Sequence, residues 1–336
     1  MVVGARGDDM KSALVTGATG QDGHYLVDLL LGRGYMVHAQ SRSPQSLPDN
    51  SALRWHVGDP ANAEFLEDLI SSTQPDEIYN LAAISRPLDS WTLPGKTANI
   101  TALLPHAICE LLLRHRPTCR LFQSSSSDMF GDCASERQDE RTSFQPASPY
   151  GAAKLYAHNI VGVYRRNHGL HGCCGIHFNH ESPLRRLTFV SQKIAYAAAA
   201  ASLGVHTTSK LDEFGRPILS DGKLLLGDLS VRRDFGFAGD HVEAMYLILQ
   251  HPAPDDYVVG TGENHSIEEF CELAFGAVGL DWRAYVRVDP KLIRKTDNRY
   301  TRADPTKIQS LLHWRPRVGF QELVSTMVDA QLKSFR

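Results

Sequence analysis

The sequence predicts an α/β fold in which a doubly wound parallel sheet carries a smaller mixed α/β lobe towards the C-terminus. Three observations lead to this expectation. Short apolar runs alternate with helical patterns through the first half of the 336 residues, as in parallel sheets with helices on both faces. A glycine-rich turn follows the first apolar run. After about residue 180 the alternation stops, and polar segments with glycine and proline separate two helical stretches.

The individual elements follow from the length and periodicity of each run. A long segment, Leu203–Asp228, contains several glycines and a proline and is predicted as a loop or hairpin. The predicted strands are Ser12–Thr16, Met36–Gln40, Leu53–Val57, Glu77–Leu81, Arg120–Gln123 and Gly172–Phe178, and the predicted helices include Tyr25–Arg33, Glu64–Ser71, Val190–Leu203 and Gly239–Gln250.

Composition argues against several classes of function. The net charge is −3 and the basic residues are scattered, so nucleic acid is not an expected partner. No run approaches the ~18 apolar residues of a membrane span. The six cysteines form no CxxC pair, which predicts buried thiols and a cytoplasmic protein. No metal is predicted, because no carboxylate or thiol completes a ligand set around the histidines.

A glycine turn lies between the first strand and the first helix, in the segment Gly17-Ala-Thr-Gly-Gln-Asp-Gly23. Glycines allow a tight turn and close approach of the backbone to a pyrophosphate, which the helix N-terminus then faces. A glycine triplet alone is weak evidence, and an incidental turn is the alternative. The position between a strand and a helix favours dinucleotide binding.

The residues after the second strand indicate whether the cofactor is NAD or NADP, because an acidic residue there would hold the ribose of NAD. This chain has Gln40-Ser41-Arg42-Ser43 there. Arg42 is able to pair with a 2′-phosphate, which predicts NADP, with NAD less favoured; a solvated surface arginine is the alternative. Asp59, after the third strand, is placed to contact the adenine amino group or, alternatively, to cap the next helix.

Tyr150 and Lys154 lie four residues apart and therefore share one face of a predicted helix. A phenol ionises near pH ~10, and an adjacent ammonium lowers that pKa towards a useful base. Ser126, Ser127 and Asp128 follow a strand-like run and add a hydroxyl and a second acid. A flexible serine turn is the alternative. The whole set is more than a simple alcohol dehydrogenase needs.

At this point the residues resemble those of the extended short-chain dehydrogenase/reductases, which have a Rossmann fold, and within them the GDP-mannose 4,6-dehydratase family. The resemblance runs from about residue 12 to 330 and includes Asn179-His-Glu-Ser-Pro183 and Gly20-Gln-Asp-Gly23 as its narrowest motifs. The other matching segments are Thr16–Gly23, Asp76–Ala82, Ser148–Tyr156 and Leu312–Arg317.

The resemblance implies roles for individual residues. Tyr150 would deprotonate the C4 hydroxyl of a nucleotide sugar, assisted by Lys154. Ser126, a threonine in the family, would hydrogen-bond the same hydroxyl, and Ser127 matches a catalytic serine of the family. Asp128, a glutamate in the family, would take the C5 proton. The implied cofactor contacts are Gly17, Thr19, Gly20, Gln21, Asp22, Gly23, Arg42, Asp59, Pro60, Leu81, Ala82, Ala83, Ser85, Ile100, Ser124, Tyr150, Lys154, His177, His180 and Arg185. The implied substrate contacts are Ser85, Ser126, Asp128, Asn179, Val190, Lys193, Gly227, Arg233, Arg294 and Asp297.

These roles imply the NADP-dependent conversion of GDP-mannose, or a close GDP-sugar, to its 4-keto-6-deoxy derivative. Two alternatives remain open: a 4-epimerase or 4-ketoreductase, and a catalytically weak paralogue that binds NADP and a sugar nucleotide. Asp128 separates the dehydratase from the epimerase. Its side chain is one C–C bond, ~1.5 Å, shorter than the family's glutamate, and a misplacement of that order can cost ~10²-fold in rate.

The domain organisation follows from the same argument. We expect residues 11–180, with returning segments near 235–262, to bind NADP, residues 181–336 to form mainly the substrate lobe, and residues 1–10 to be a flexible extension. The resemblance implies a longer loop than Arg42–Arg54 for contact with a neighbouring subunit, so the short loop favours a homodimer, through Pro105–His115 and Tyr150–Asn167, over a tetramer. Thr207–Gly222 is similar to an insertion beside the nucleotide pocket.

Overall fold

The computed structural model describes residues 10–44, 50–131, 133, 135–293 and 301–335. The expected N-terminal extension therefore lies almost wholly outside the described residues. So do two predicted substrate contacts, Arg294 and Asp297.

The strands match most of the predicted apolar runs. Those of the described chain are β1 Ser12–Thr16, β2 Met36–Ser41, β3 Leu53–Val57, β4 Glu77–Asn80, β5 Arg120–Ser126, β6 Gly172–His177, β7 Asn179–Glu181, β8 Leu224–Leu226, β9 Arg232–Arg233, β10 Phe235–Phe237, β11 Asp256–Val259, β12 His265–Ser266 and β13 Val286–Val288.

Helices connect the strands, and a π-helical turn at Ala98–Leu103 precedes one of them. A membrane-spanning helix, which must be long and apolar, is not found among the described residues. The helices are α1 Gln21–Gly32, α2 Ala63–Thr73, α3 Pro87–Thr92, α4 Pro94–Thr97, α5 Leu104–His115, α6 Pro149–His168, α7 Val190–Ser202, α8 Ala238–Gln250, α9 Ile267–Gly276, α10 Thr306–Leu312 and α11 Phe320–Ser334.

Seven strands pair in parallel in the order β3-β2-β1-β4-β5-β6-β11, which confirms the predicted doubly wound sheet. The strand order reverses between β1 and β4. Open α/β sheets bind ligands at the carboxyl edge beside such a reversal. The turns after β1 and β4 therefore face each other in the expected cofactor crevice.

Apolar residues on both faces of the sheet hold the helices in place. On one face Leu26 of α1 and Met245 of α8 are fully buried, and on the other face Ile108 of α5 and Val161 of α6 are fully buried. The adjacent Cys173 and Cys174 of β6 belong to opposite cores, as their place in a strand predicts.

A separate core lies in the C-terminal lobe, where α7, α9 and α11 pack around the short pair β8 and β13. Its buried members include Ile194, Phe270 and Val324. Both α8 and β11 return to the large sheet. So does Ile308 of α10, a segment that the sequence analysis assigned mainly to the lobe.

Several boundaries differ from the predicted ones for physical reasons. β5 runs on to Ser126 instead of ending at Gln123, because Ser124–Ser126 pair with Gly175–His177 of β6. The alternative of a flexible serine turn is therefore wrong. α1 begins at Gln21, within the glycine-rich segment and four residues earlier than predicted. The strand β11 was not predicted.

Candidate active site

The glycine turn is packed too closely for any other residue at two of its positions. Gly17 has a φ of +67°, and a Cβ there would lie 3.0 Å from the Ala82 nitrogen, in the turn after β4. A Cβ on Gly23 would lie 2.5 Å from the Ala18 oxygen. Gly20, which precedes α1, has no side chain to cap the helix, so the N–H groups of its first turn face the crevice. This cradle fits a pyrophosphate.

Residues that the sequence analysis did not single out hold this turn in place. The Gln40 side chain, at the end of β2, accepts a hydrogen bond from the Gly17 N–H at 2.9 Å and donates to the Gly58 carbonyl at 2.7 Å. The Thr16 hydroxyl accepts from the Leu81 and Ala82 N–H groups at 3.2 Å each. A buried Gln at this position gave no local signal, since its partners are distant in sequence.

An ion pair joins the glycine turn to the short strand β7, which follows β6. The Asp22 carboxylate lies 2.9 Å from Nε2 of His180. Burial lowers the pKa of His180, but the charge of Asp22 and its hydrogen bond outweigh this effect and raise the pKa above its usual value. Burial likewise raises the pKa of Asp22, but His180 outweighs it and holds that pKa well below its usual range. The positive His180 offsets a carboxylate that would otherwise repel a pyrophosphate.

A third histidine, His241 of α8, completes a cluster with His177 and His180. Nδ1 of His177 lies 3.0 Å from Nδ1 of His241, and the rings of His180 and His241 stack at 4.5 Å. Burial lowers the pKa of His177 to about 3 and lowers the pKa of His241 well below its usual value. Both rings are therefore neutral, and only one of the two facing nitrogens carries a proton.

This cluster was not predictable from the sequence, because α8 is far from β6 along the chain. Its three rings offer nitrogen atoms within 4.8 Å of one another, as do the ligand atoms of His158, Cys174 and Asp256. His180 already binds Asp22, and Asp256 lies 2.6 Å from the Arg165 guanidinium. The absence of a metal stays a prediction.

Tyr150 and Lys154 occupy one face of α6, as predicted, and both are buried. The Lys154 ammonium donates to the Ser124 carbonyl at 2.7 Å and lies 5.8 Å from the centre of the Tyr150 ring. Burial lowers the pKa of Lys154 to about 8, although Asp22 and Asp128 oppose this shift. Lys154 is thus close to both the glycine turn and Asp128.

The pKa of Tyr150 is raised, contrary to the expectation that Lys154 lowers it. Burial is the main cause, and the Asp128 carboxylate adds to it. A hydrogen bond with Ser126 and the guanidinium of Arg185 act in the opposite direction. These interactions place Ser126, Asp128 and Arg185 around the phenol, so the structure brings the predicted residues together. The predicted lowering of the Tyr150 pKa is wrong for the protein without bound ligand.

Asp128 lies in a short 3₁₀ turn, Ser127–Met129, directly after β5. The Ser126 hydroxyl accepts from the Asp128 N–H at 3.2 Å and donates to the Asp128 carboxylate at 3.3 Å. A Cβ on Gly151 would lie 2.6 Å from the Asp128 carbonyl oxygen, so glycine allows the start of α6 to approach this turn closely. That approach brings the acid towards Tyr150.

Other predicted cofactor residues lie around the carboxyl edge of the parallel sheet. Arg42 is exposed after β2. Asp59, before the buried Pro60, accepts from the Ala61 N–H at 3.0 Å. It does not cap α2, because Asn62 does so, accepting from the Phe65 N–H at 2.9 Å. Ala83 and the exposed Ser85 follow β4, and Ile100 is buried in the π-helical turn.

Five of the predicted substrate residues follow β6 along the chain. Asn179 begins β7, Val190 begins α7, and Gly227 follows β8, where a Cβ would lie 2.8 Å from the Leu292 oxygen. Arg233 lies in β9, while its neighbour Arg232 pairs with Glu269 at 2.9 Å. Lys193, one turn into α7, binds Glu213.

The fold and the Tyr-Lys-Ser-Asp set define a short-chain dehydrogenase/reductase of the extended type. The solved structure titled "MoeE5 in complex with UDP-glucose and NAD" is similar, with a TM-score of 0.81 and 25% identity over 97% of this chain and all of that one (100%). The UDP-glucose 4-epimerase of Thermotoga maritima has the same fold, with a TM-score of 0.83 at 21% identity over 97% of this chain and 100% of that one.

Residues 14–327 match the family described as GDP-mannose 4,6 dehydratase. The chain is 40% identical to GDP-mannose 4,6 dehydratase 2 of Arabidopsis thaliana over 96% of its length and 87% of the relative. It is 38% identical to the Sinorhizobium fredii GDP-mannose 4,6-dehydratase over 98% of both chains. The chain belongs to the GDP-mannose 4,6-dehydratase family, a family of hydro-lyases, and the resemblance found in its motifs is confirmed.

Proposed function

We propose that the protein is an NADP-dependent nucleotide-sugar 4,6-dehydratase that converts GDP-mannose, or a close GDP-sugar, to the 4-keto-6-deoxy sugar. The observation that carries this proposal is the Asp128 carboxylate, held beside the Tyr150 phenol and bonded to Ser126. Family membership supports the same reaction.

In the first step Tyr150 removes the proton of the C4 hydroxyl, while Ser126 holds that hydroxyl. When bound, the nicotinamide cofactor supplies redox chemistry, taking a hydride from C4 and returning it to C6. Lys154, fixed by the Ser124 carbonyl, binds the cofactor ribose and keeps positive charge near the phenol. Arg185, which already lowers the pKa of Tyr150, favours the phenolate in addition.

In the second step the C4 ketone acidifies the C5 proton, and Asp128 removes it. The protonated Asp128, with Ser127 beside it, then gives a proton to the C6 hydroxyl, which leaves as water. The proton that Tyr150 took first is given back to C5, so the reaction balances as the loss of one water. The short side chain of Asp128 is offset by the close approach of its turn to α6 at Gly151.

NADP is the proposed cofactor because Arg42 follows β2, where a 2′-phosphate is bound in this fold. Gln40 and Ser41, the buried residues that end β2, are not acids, and the amide of Gln40 is used by the glycine turn. The acidic partner of the NAD ribose is thus replaced by a neutral side chain with a structural role.

A panel of nucleotide sugars tests the proposed function. With NADP⁺ and GDP-mannose, we expect a product lighter by one water and no net NADPH; UDP-, dTDP- and CDP-sugars should react more slowly. NAD⁺ should bind more weakly than NADP⁺, and Arg42→Ala should remove that difference. A product of unchanged mass identifies an epimerase and contradicts the proposal, as does net reduction or binding without turnover.

We further propose that the protein is a homodimer formed through α5 and α6. Tyr156 and Val163 of α6 are 40% and 36% exposed, and Leu103, just before α5, is 49% exposed. A second copy would cover these apolar side chains. Analytical ultracentrifugation should give the dimer mass, and Val163→Glu should shift it to the monomer mass; a monomeric wild type contradicts the proposal.

A further inference from the structure

The segment predicted as an insertion folds as a hairpin between His206 and Lys223. Its base is anchored, because Ile218 and Leu219 are buried in the core of the lobe. The Ile218 N–H donates to the Lys210 carbonyl at 3.0 Å, and the Thr208 N–H donates to the Leu219 carbonyl at 3.0 Å. The hairpin is therefore a fixed part of the lobe.

The tip of this hairpin is shaped by Asp212. Its carboxylate accepts from the N–H groups of Phe214 at 2.8 Å and Arg216 at 2.9 Å, and binds the Arg216 guanidinium at 2.8 Å. Gly215 makes the turn with a φ of +74°. These bonds shape the tip without the side chain of Glu213, whose carboxylate extends to α7.

Glu213 and Lys193 form a nearly buried ion pair. Both carboxylate oxygens of Glu213 lie 3.0 Å from the Lys193 ammonium, and the two side chains are only 10% and 7% exposed. Removing two charges from water is costly, so such a pair contributes little net stability. Stability alone therefore gives a weak reason for an acid at the tip of the hairpin.

The position of the pair links it to the catalytic residues. The Arg185 guanidinium, which lowers the pKa of Tyr150, lies 3.7 Å from the centre of the Phe189 ring, and the Phe189 carbonyl accepts from the Lys193 N–H at 3.0 Å. A cavity of about 240 Å³ lies beside Lys193 and the hairpin. Its lining includes the cations Lys193, Arg216 and Lys223, the acid Asp212, which is paired with Arg216, and the apolar Ile218 and Leu224.

We propose that the substrate displaces Glu213. In the free protein the Glu213 carboxylate is paired with the Lys193 ammonium, and on binding the diphosphate of the nucleotide sugar takes its place. This inference rests on the proposed function for the identity of that diphosphate. A carboxylate that stayed in place would repel the bound phosphates, and one that leaves must give up its ion pair. In both cases Glu213 lowers the affinity and selects ligands with enough negative charge to displace it.

Glu213→Gln tests this proposal, with Asp221→Asn as the matched control. Asp221 is an exposed acid in the other turn of the same hairpin, with a φ of +50° that asparagine tolerates. By calorimetry, Glu213→Gln should bind GDP or UDP about 5-fold more tightly than the wild type, a gain of about 1 kcal/mol, and Asp221→Asn should bind as the wild type does. Unchanged or weaker binding by Glu213→Gln would overturn the proposal.

Two further measurements separate displacement from a structural role. Without ligand, Glu213→Gln should unfold at a lower temperature, because Lys193 loses its partner, whereas damage to the fold would lower affinity as well. In a Lys193→Gln background the gain from Glu213→Gln should vanish; a gain that persists overturns the proposal. Because these experiments measure binding, a failure of the dehydratase assay does not affect the displacement proposal. If neither GDP nor UDP binds to any variant, the displacement proposal is refuted.

Discussion

Replacement of Tyr150 with phenylalanine should slow the oxidation at C4 by about 10³-fold, the contribution expected of a positioned general base. The phenol is buried beside Ser126 and Asp128, and removal of its oxygen leaves a ring of the same shape, so the fold should be retained. Rapid mixing with NADP⁺ and substrate, followed by the absorbance of reduced nicotinamide, measures this step directly.

The pH dependence gives the same prediction a second readout. The pKa of Tyr150 is raised, so below about pH 8, where Lys154 keeps its charge, the ionised fraction of the phenol and the wild-type oxidation rate should rise with pH. Tyr150→Phe should lose this dependence. Tyr156→Phe is the matched control, since Tyr156 lies on the same helix and its exposed side chain places the hydroxyl 2.8 Å from Nδ1 of His106, away from Ser126 and Asp128. Oxidation by Tyr150→Phe within tenfold of the wild type would place the base elsewhere.

Replacement of Asp128 with asparagine should abolish the loss of water while leaving the oxidation at C4 intact. The amide cannot take the C5 proton, and we expect dehydration to fall by about 10³-fold. The Asp128 carboxylate raises the pKa of Tyr150, so its removal lowers that pKa and should not slow the first step. The observable is reduced nicotinamide that accumulates and persists, with no product lighter by one water.

Asp128→Glu is the conservative control for this variant. It restores the longer acid that the family carries, and its turn is already close to α6 at Gly151. We expect Asp128→Glu to dehydrate at a rate equal to or above that of the wild type. Dehydration by Asp128→Asn at the wild-type rate would show that another group removes the C5 proton, and the assignment of Asp128 would be abandoned.

The predictions for Tyr150 and Asp128 depend on features of the site, some of which were predictable from the sequence and some of which were not. The four-residue spacing of Tyr150 and Lys154 is a property of the helix itself, so their shared face was predictable. The pKa of Tyr150 was not, because burial and the distance to Asp128 are set by how β5 and α6 pack. Pairing with β6 extended β5 through Ser126 beyond its apolar run.

Contacts between distant segments were the part that the sequence did not show. His241 joins His177 only because α8 packs beside β6, and Glu213 reaches Lys193 only because the hairpin folds back onto α7. Neither residue lies in a motif, and hydrophobic periodicity carries no information about such pairs. β11 was missed because its short run, Asp256–Val259, becomes a strand through pairing with β6.

The sequence by itself determined the doubly wound fold, the glycine turn, the Tyr-Lys pair and the family, because periodicity, turn chemistry and short motifs are local properties of the chain. The tertiary structure decided the direction of the Tyr150 pKa, the ion pair of Asp22 with His180, and the partner of Lys193. These depend on burial and on charges that meet only after folding, since the free energy of a charge depends on the water it loses and the partners it gains.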